Sequence, residues 1–208
     1  MAIRITKYPQ SCLLVETGDA RLLIDPGMPA TAAFTPDVMG SVDAVLYTHR
    51  HGDHFDASWL EPMAEQGAHF VANADVATLL DGHDVTVLAD RESTTVAGVR
   101  LDAYELTHCP MVDGSPGPPN IGYVIDDVLL HPGDGFEAPR DVEVVAAPIA
   151  GPSLSIRDGY RMVADTNASH AIPIHYDVFI ALPEQLAEAC DIATVHVLGP
   201  GETVDLDV

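Results

Sequence analysis

At 208 residues, 47% of them hydrophobic, the chain is long enough to bury one substantial core and too short for two domains of ordinary size. Its 32 acidic side chains against 9 Lys and Arg give a formal net charge of -23, which repels phosphodiester backbones and excludes nucleic acid as the expected partner. No apolar run approaches the roughly 18 residues that span a bilayer, and Met1-Ala2-Ile3-Arg4-Ile5 lacks the pattern of a secretory leader, so a single soluble, cytoplasmic domain over residues 1–208 without membrane contact is expected.

In chain order, β-like runs at 3–8, 12–16 and 20–25 are separated by Pro9-Gln10 and by the hairpin-type turn Thr17-Gly18-Asp19, which predicts a meander. The apolar stretch Ala44-Val45-Leu46-Tyr47 then runs into Thr48-His49-Arg50-His51-Gly52-Asp53-His54. Beyond it the pattern predicts a helix at 57–66, a strand at 69–72 and a short helix at 75–80. Further β-like runs cover 84–88, 94–105, 121–130 and 142–147; helices are predicted at 155–166 and 183–189, and strands at 195–198 and 203–206 close the chain. Strands precede helices in each half, which suits two facing sheets with helices outside. The segment 109–120, rich in proline and glycine, is too broken for a core element and is expected to rim a site. Cys12, Cys109 and Cys190 have no paired zinc spacing and read as reduced thiols.

The 49–54 stretch carries three imidazoles and a carboxylate within six residues. Alternation sets His49 and His51 on one side of an extended segment, and the turn at Gly52 swings Asp53 and His54 toward a second position, so one motif can serve two metals. Four more metal-capable residues each follow a β-like run: Asp25, His108, Asp134 and His175. His131, three residues before Asp134, either orients it or lines the pocket; Tyr176 and Asp177 follow His175 and either face the pocket or pack. His69, His83, His170 and His196 lack partner ligands and read as structural or surface groups.

On these residues the chain resembles the metallo-β-lactamase-fold hydrolase superfamily, whose pattern is a His-x-His-x-Asp-His cluster followed by a His, an Asp and a His; all seven positions are filled. Asn120-Ile121-Gly122-Tyr123-Val124-Ile125, His131-Pro132-Gly133-Asp134, Ala147-Pro148-Ile149-Ala150-Gly151-Pro152 and Ile172-Pro173-Ile174-His175-Tyr176 are similar to the branch that includes ascorbate-6-phosphate lactonase-like proteins. The resemblance implies an α/β fold, a four-layer αββα sandwich. It also implies His49, His51 and His108 on one metal, Asp53, His54 and His175 on another, and Asp134 bridging the two. Asp25 would accept an N–H from a ligand imidazole and fix its tautomer.

The implied cofactors are two divalent ions, zinc first, with manganese or iron acceptable to the same donors. The implied activity is hydrolysis of a small-molecule ester, lactone or phosphate ester by a metal-bridging hydroxide, with Asp53 orienting that water and passing a proton to the leaving group. Two alternatives stay open: a mononuclear iron oxidoreductase on the same fold, and a metal-binding protein without turnover. Homo-oligomerisation is compatible with the sequence and not fixed by it. One departure stands out, because Gln10 occupies a place where the branch commonly carries a His.

Overall fold

In the computed structural model, which describes residues 2–151 and 153–208, the chain forms two seven-stranded sheets. Met1 of the N-terminal segment and Pro152 of the 147–152 motif lie outside the described residues. The first half supplies β1 (Ala2–Lys7), β2 (Leu13–Thr17), β3 (Ala20–Ile24), α1 (Met28–Ala33), α2 (Pro36–Met39), β4 (Ala44–Tyr47), a 3-10 turn (Ala57–Trp59), α3 (Leu60–Glu65), β5 (His69–Ala72), α4 (Ala74–Ala77) and β6 (Val85–Val87). Next come β7 (Ser93–Val96), β8 (Val99–Glu105), β9 (Ile121–Ile125), β10 (Leu129–His131), β11 (Val144–Pro148), α5 (Ile156–Asp165), β12 (His170–Ile174), α6 (Pro183–Ala189), β13 (Thr194–Val195) and β14 (Thr203–Asp207).

The first sheet runs β14-β1-β2-β3-β4-β5-β6 and the second β13-β12-β11-β10-β9-β8-β7. Each is antiparallel where hairpins join it and parallel where crossovers do: β3 to β6 in the first, β10 to β13 in the second. Both faces of the central strands are buried, which explains why they read as continuous apolar runs. Ile5, Leu13, Leu22, Ile24 and Leu46 meet Leu101, Tyr123, Val144 and Ile172 between the sheets. The opposite face of the first sheet packs Leu14, Val45, Tyr47 and Phe70 on Trp59, Leu60 and Met63, and that of the second packs Val145 and Ala147 on Met162, Val163 and Leu186. Helix, sheet, sheet and helix therefore stack as four layers, each buried Leu or Ile contributing about 1.5–3 kcal/mol. Among the described residues no helix is long and apolar enough to cross a membrane.

Several elements differ from the sequence-based expectation for local reasons. The run 94–105 is a hairpin, because Ala97 and Gly98 both take left-handed φ values of 49° and 85° and turn β7 into β8. The run 121–130 breaks the same way at Asp126-Asp127, with φ of 53° and 62°. Helices α1 and α2, six and four residues long, carry Pro29 and Pro36 in their first turns and are too short to show a period. The helix expected at 57–66 opens as a 3-10 turn, with the Asp56 carboxylate accepting from the Ser58 N–H. The 75–80 helix is one turn, Ala74–Ala77, capped by Asn73, and 195–198 contributes to strand only at Val195.

Candidate metal centre

Five loops leave the carboxyl ends of β3, β4, β8, β10 and β12 and converge on one cleft at the top of both sheets. Parallel β3 and β4 lie side by side, which sets Asp25, just past β3, against Thr48, just past β4. Asp25 is fully buried and accepts three hydrogen bonds: from Thr48 N–H (2.8 Å), Thr48 Oγ1 (2.7 Å) and His54 Nδ1 (2.7 Å). The Asp25-Pro26-Gly27 turn packs so tightly on the next loop that a Cβ on Gly27 would lie 2.1 Å from the Asp53 backbone. Glycine is the residue that fits there.

Seven donors form two clusters. In the first, His49, His51, His108 and Asp134 bring their ligand atoms within 4.8 Å of one another. The Nδ1 of His51 lies 3.2 Å from the Nε2 of both His49 and His108, and Asp134 Oδ2 is 3.4 Å from His108 Nε2. In the second cluster, Asp53, His54 and His175 meet under the same spacing. The other oxygen of Asp134, Oδ1, reaches this side, 3.1 Å from His54 Nε2 and 3.2 Å from His175 Nε2, while Asp53 Oδ2 is 3.3 Å from His175 Nε2. One carboxylate thus spans both clusters.

The outward ring nitrogens decide what the inward ones can do. Since the Thr48 hydroxyl donates to Asp25, its oxygen accepts from His49 Nδ1 at 3.0 Å. His54 Nδ1 donates to Asp25, His108 Nδ1 to the Cys109 carbonyl at 2.6 Å, and His175 Nδ1 to the Ala150 carbonyl. Four imidazoles are thereby held with the lone pair on Nε2, aimed into a space lined by carboxylate oxygens. With the imidazoles neutral such a space sets acceptors against acceptors, and His54 Nε2, His175 Nε2 and Asp134 Oδ1 are buried with no hydrogen-bond partner among the described residues. Protons on the imidazoles or bound metal cations resolve that arrangement, and imidazole with carboxylate fits Zn, Mn or Fe.

The two clusters differ electrostatically. Burial and the neighbouring His54 hold His49 well below the ordinary imidazole range, and burial with His108 lowers His51. Burial also opposes charge on His54 and His175, but Asp134 outweighs it, raising His54 well above the usual value and His175 to about 9. Against its own burial, Asp134 is held well below the carboxylate range by His54 and His175. The side chain of Asp53 is 20% exposed, the most open carboxylate of the cleft.

The remaining predicted residues sit around this centre. Fully buried His131 hydrogen-bonds the Ser11 carbonyl through Nε2 (2.8 Å) and accepts from the Gly133 N–H (3.3 Å), so it braces the turn that carries Asp134 without bonding Asp134. Tyr176 is not hydrogen-bonded to a donor residue: its hydroxyl donates to the Leu198 carbonyl, and its ring lies 4.4 Å from Lys7 Nζ. Segment 109–120 lies along the cleft, with Gly117 pressed against the His108 ring. His69, His83, His170 and His196 stand apart, on Thr86, Glu61 and each other.

Sequence reasoning passed over Asn120 and Lys7 as functional. Asn120 donates to the Leu106 and Pro132 carbonyls and accepts from the Asp134 N–H, locking the two loops that carry His108 and Asp134. Lys7 shares the alternation of buried Ile3 and Ile5 and is itself fully buried, and a cation on that apolar face was the available signal.

Comparison with known proteins agrees with this architecture. The beta-lactamase superfamily domain matches residues 4–175. A UPF0173 metal-dependent hydrolase of Pyrococcus horikoshii is 31% identical over 215 residues, covering 91% of this chain and 93% of that protein. The structure of Igni18, a metallo hydrolase from Ignicoccus hospitalis, is similar with a TM-score of 0.82 at 22% identity over 100% of both chains. The metallo-beta-lactamase fold protein YhfI of Bacillus subtilis has a TM-score of 0.73 at 14% identity, covering 98% of this chain and 99% of that one. Because the family match runs from the first strand to His175, the last donor of the cleft, the chain belongs to the beta-lactamase superfamily and has the metallo-β-lactamase fold.

Proposed function

We propose that this chain is a dinuclear metal-dependent hydrolase of a small ester, lactone or phosphate ester. The observation that carries the reading is the Asp134 carboxylate, with one oxygen toward His49 and His108 and the other toward His54 and His175. In this reading His49, His51 and His108 hold one divalent ion, Asp53, His54 and His175 hold the other, and Asp134 serves both. When bound, the ions supply Lewis acidity and a water acidified towards neutrality. Zinc is the first choice and manganese or iron the alternatives, since availability can override affinity.

The protein's own groups then divide the work. Asp53, the more open carboxylate, orients the attacking water and carries its proton to the leaving group. Asp25, through Thr48 and His54, keeps imidazole lone pairs pointing inward. His131 and Asn120 hold the Asp134 turn. No serine or cysteine nucleophile is required, and burial keeps the Cys109 thiol protonated, pushing it up to about 12. The net charge of -23 favours a small substrate over a polyanion, and the lactone class leads through the similarity to lactonase-like proteins. Three free, buried cysteines fit a reducing, cytoplasmic setting.

The test is metal analysis of protein purified without added metal, followed by a lactone, carboxylic ester and phosphate ester panel on wild type and Asp53→Asn. About two ions per chain, turnover on one panel class and loss of that turnover in Asp53→Asn with metal retained are expected. One iron per chain, or two ions with no turnover anywhere, would overturn the reading.

A further inference from the structure

The turn between β1 and β2 contains a second assembly, directed at one metal cluster and not the other. Gln10 is fully buried at a left-handed φ of 67°, and all four of its polar groups are engaged. Its backbone N–H donates to Asp177 Oδ2 (2.7 Å), and its carbonyl accepts from the His175 N–H (3.0 Å). In the side chain, Nε2 donates to Asp53 Oδ2 (2.9 Å) and Oε1 accepts from the Val178 N–H (3.1 Å). Gln10 therefore holds one donor of the second cluster by its side chain and another by its backbone.

His175 needs that hold, because it too is a non-glycine residue at a left-handed φ of 68°. Behind the pair, fully buried Lys7 donates to Asp177 Oδ2 (2.8 Å) and to the Tyr8 carbonyl (3.1 Å), with Tyr176 beneath it. Asp177 thus receives the Lys7 ammonium and the Gln10 N–H on one oxygen, tying the first strand to the loop that follows β12. Among the described residues, no hydrogen bond of Gln10, Lys7 or Asp177 reaches His49, His51 or His108.

We infer that Gln10, backed by the Lys7–Asp177 ion pair, is a positioning residue that sets the affinity of the second metal cluster independently of the first. The amide suits this task chemically. It fixes Asp53 with one N–H yet carries no charge, so the carboxylate keeps its full negative charge for a cation. It offers its remaining oxygen to the backbone of the His175 loop rather than to the cleft. The inference rests on the two-metal reading of the proposed function.

The experiment is stepwise titration of Zn or Mn into metal-stripped full-length protein, read as atoms bound per chain, with thermal melting of each metal-free sample. The variants are Gln10→Ala, which removes the amide, and Gln10→Asn, which tolerates the left-handed backbone but falls one methylene short of Asp53. Both are expected to bind the first equivalent as wild type does and the second about 10–100-fold more weakly, with Gln10→Asn still melting as a cooperatively folded protein in the metal-free form. Two equivalents of unchanged affinity in Gln10→Asn would overturn the positioning role. So would an equal weakening of both equivalents, the signature of a general structural part. A wild type that takes up one equivalent would instead overturn the two-metal reading, which separates the two failures.

Discussion

The first and second donor clusters, proposed above as two metal sites, share Asp134 and a common plan but are charged differently. The first takes His49 and His51 from the 49–54 motif and His108 from a distant loop, and burial lowers His49 and His51, helped by His54 and His108 respectively. The second cluster likewise takes two donors, Asp53 and His54, from the 49–54 motif and one, His175, from a distant loop, but Asp134 draws its two imidazoles toward the protonated form. In the metal-free protein the first cluster is a set of lone pairs, whereas the second balances carboxylates against imidazoles held toward their charged form. The contrast teaches that one cleft can hold two sites with separate loading rules.

Removing the shared residue is the strongest way to break that contrast. Asp134→Ala takes a donor from both clusters, and we expect metal content and turnover to collapse together, beyond the about 100-fold that loss of an outer partner costs; elemental analysis with steady-state kinetics checks it. The next test affects the first cluster alone. A Cβ on Gly117 would lie 2.1 Å from His108 Nδ1, so Gly117→Ala must displace that ring. Misplacement of about 1 Å can cost roughly 100-fold in turnover. Gly151→Ala, whose Cβ would stand 3.3 Å from His175, is its near-neutral counterpart on the second side, and equal losses in the two variants would erase the predicted asymmetry.

Asp25→Asn sharpens the comparison further, because the lost charge serves His54 directly and His49 only through Thr48. Metal affinity should fall about 10–100-fold, more on the second cluster, with roughly 1–3 kcal/mol of folding stability lost from an imperfectly paired buried site; calorimetric titration and chemical denaturation read both. The smallest effect is on pH dependence. His175 has a folded-state pKa of about 9 against an ordinary 6.5. Its contribution to metal-free stability is therefore complete below about pH 6.5 and disappears as pH rises through about 9. Melting temperatures of metal-free protein should decline over that window while those of metal-loaded protein hold, and parallel curves would remove the charge difference between the clusters.

Much of this was legible in the chain, for identifiable reasons. The 49–54 motif encodes its own geometry: a strand end, an alternation and a glycine turn set four donors by local rules. Asp25, His108, Asp134 and His175 lie far apart in sequence, so residue type and the preceding β-like run mark them singly, and their convergence came from a family resemblance. The long runs at 94–105 and 121–130 concealed hairpins although Gly98 and the Asp126-Asp127 pair are turn-type residues, because β-like residues flank each turn closely on both sides. Lys7 and Asp177 were illegible as a unit because 170 residues separate them and only the closed fold brings them to 2.8 Å.

The pairing of β14 with β1 has a consequence for synthesis. As the ribosome extends the chain, the loop with His49 and His51 emerges long before His108, Asp134 and His175, and the outer edge of β1 stays bare until residues 203–207 follow. A chain that has not yet supplied residues 203–207 therefore exposes an unpaired strand at the outer edge of the first sheet. Pairing of that edge waits on residues 203–207, so loss of this segment opens a strand edge of the kind that templates aggregation while leaving every donor of the cleft in the chain.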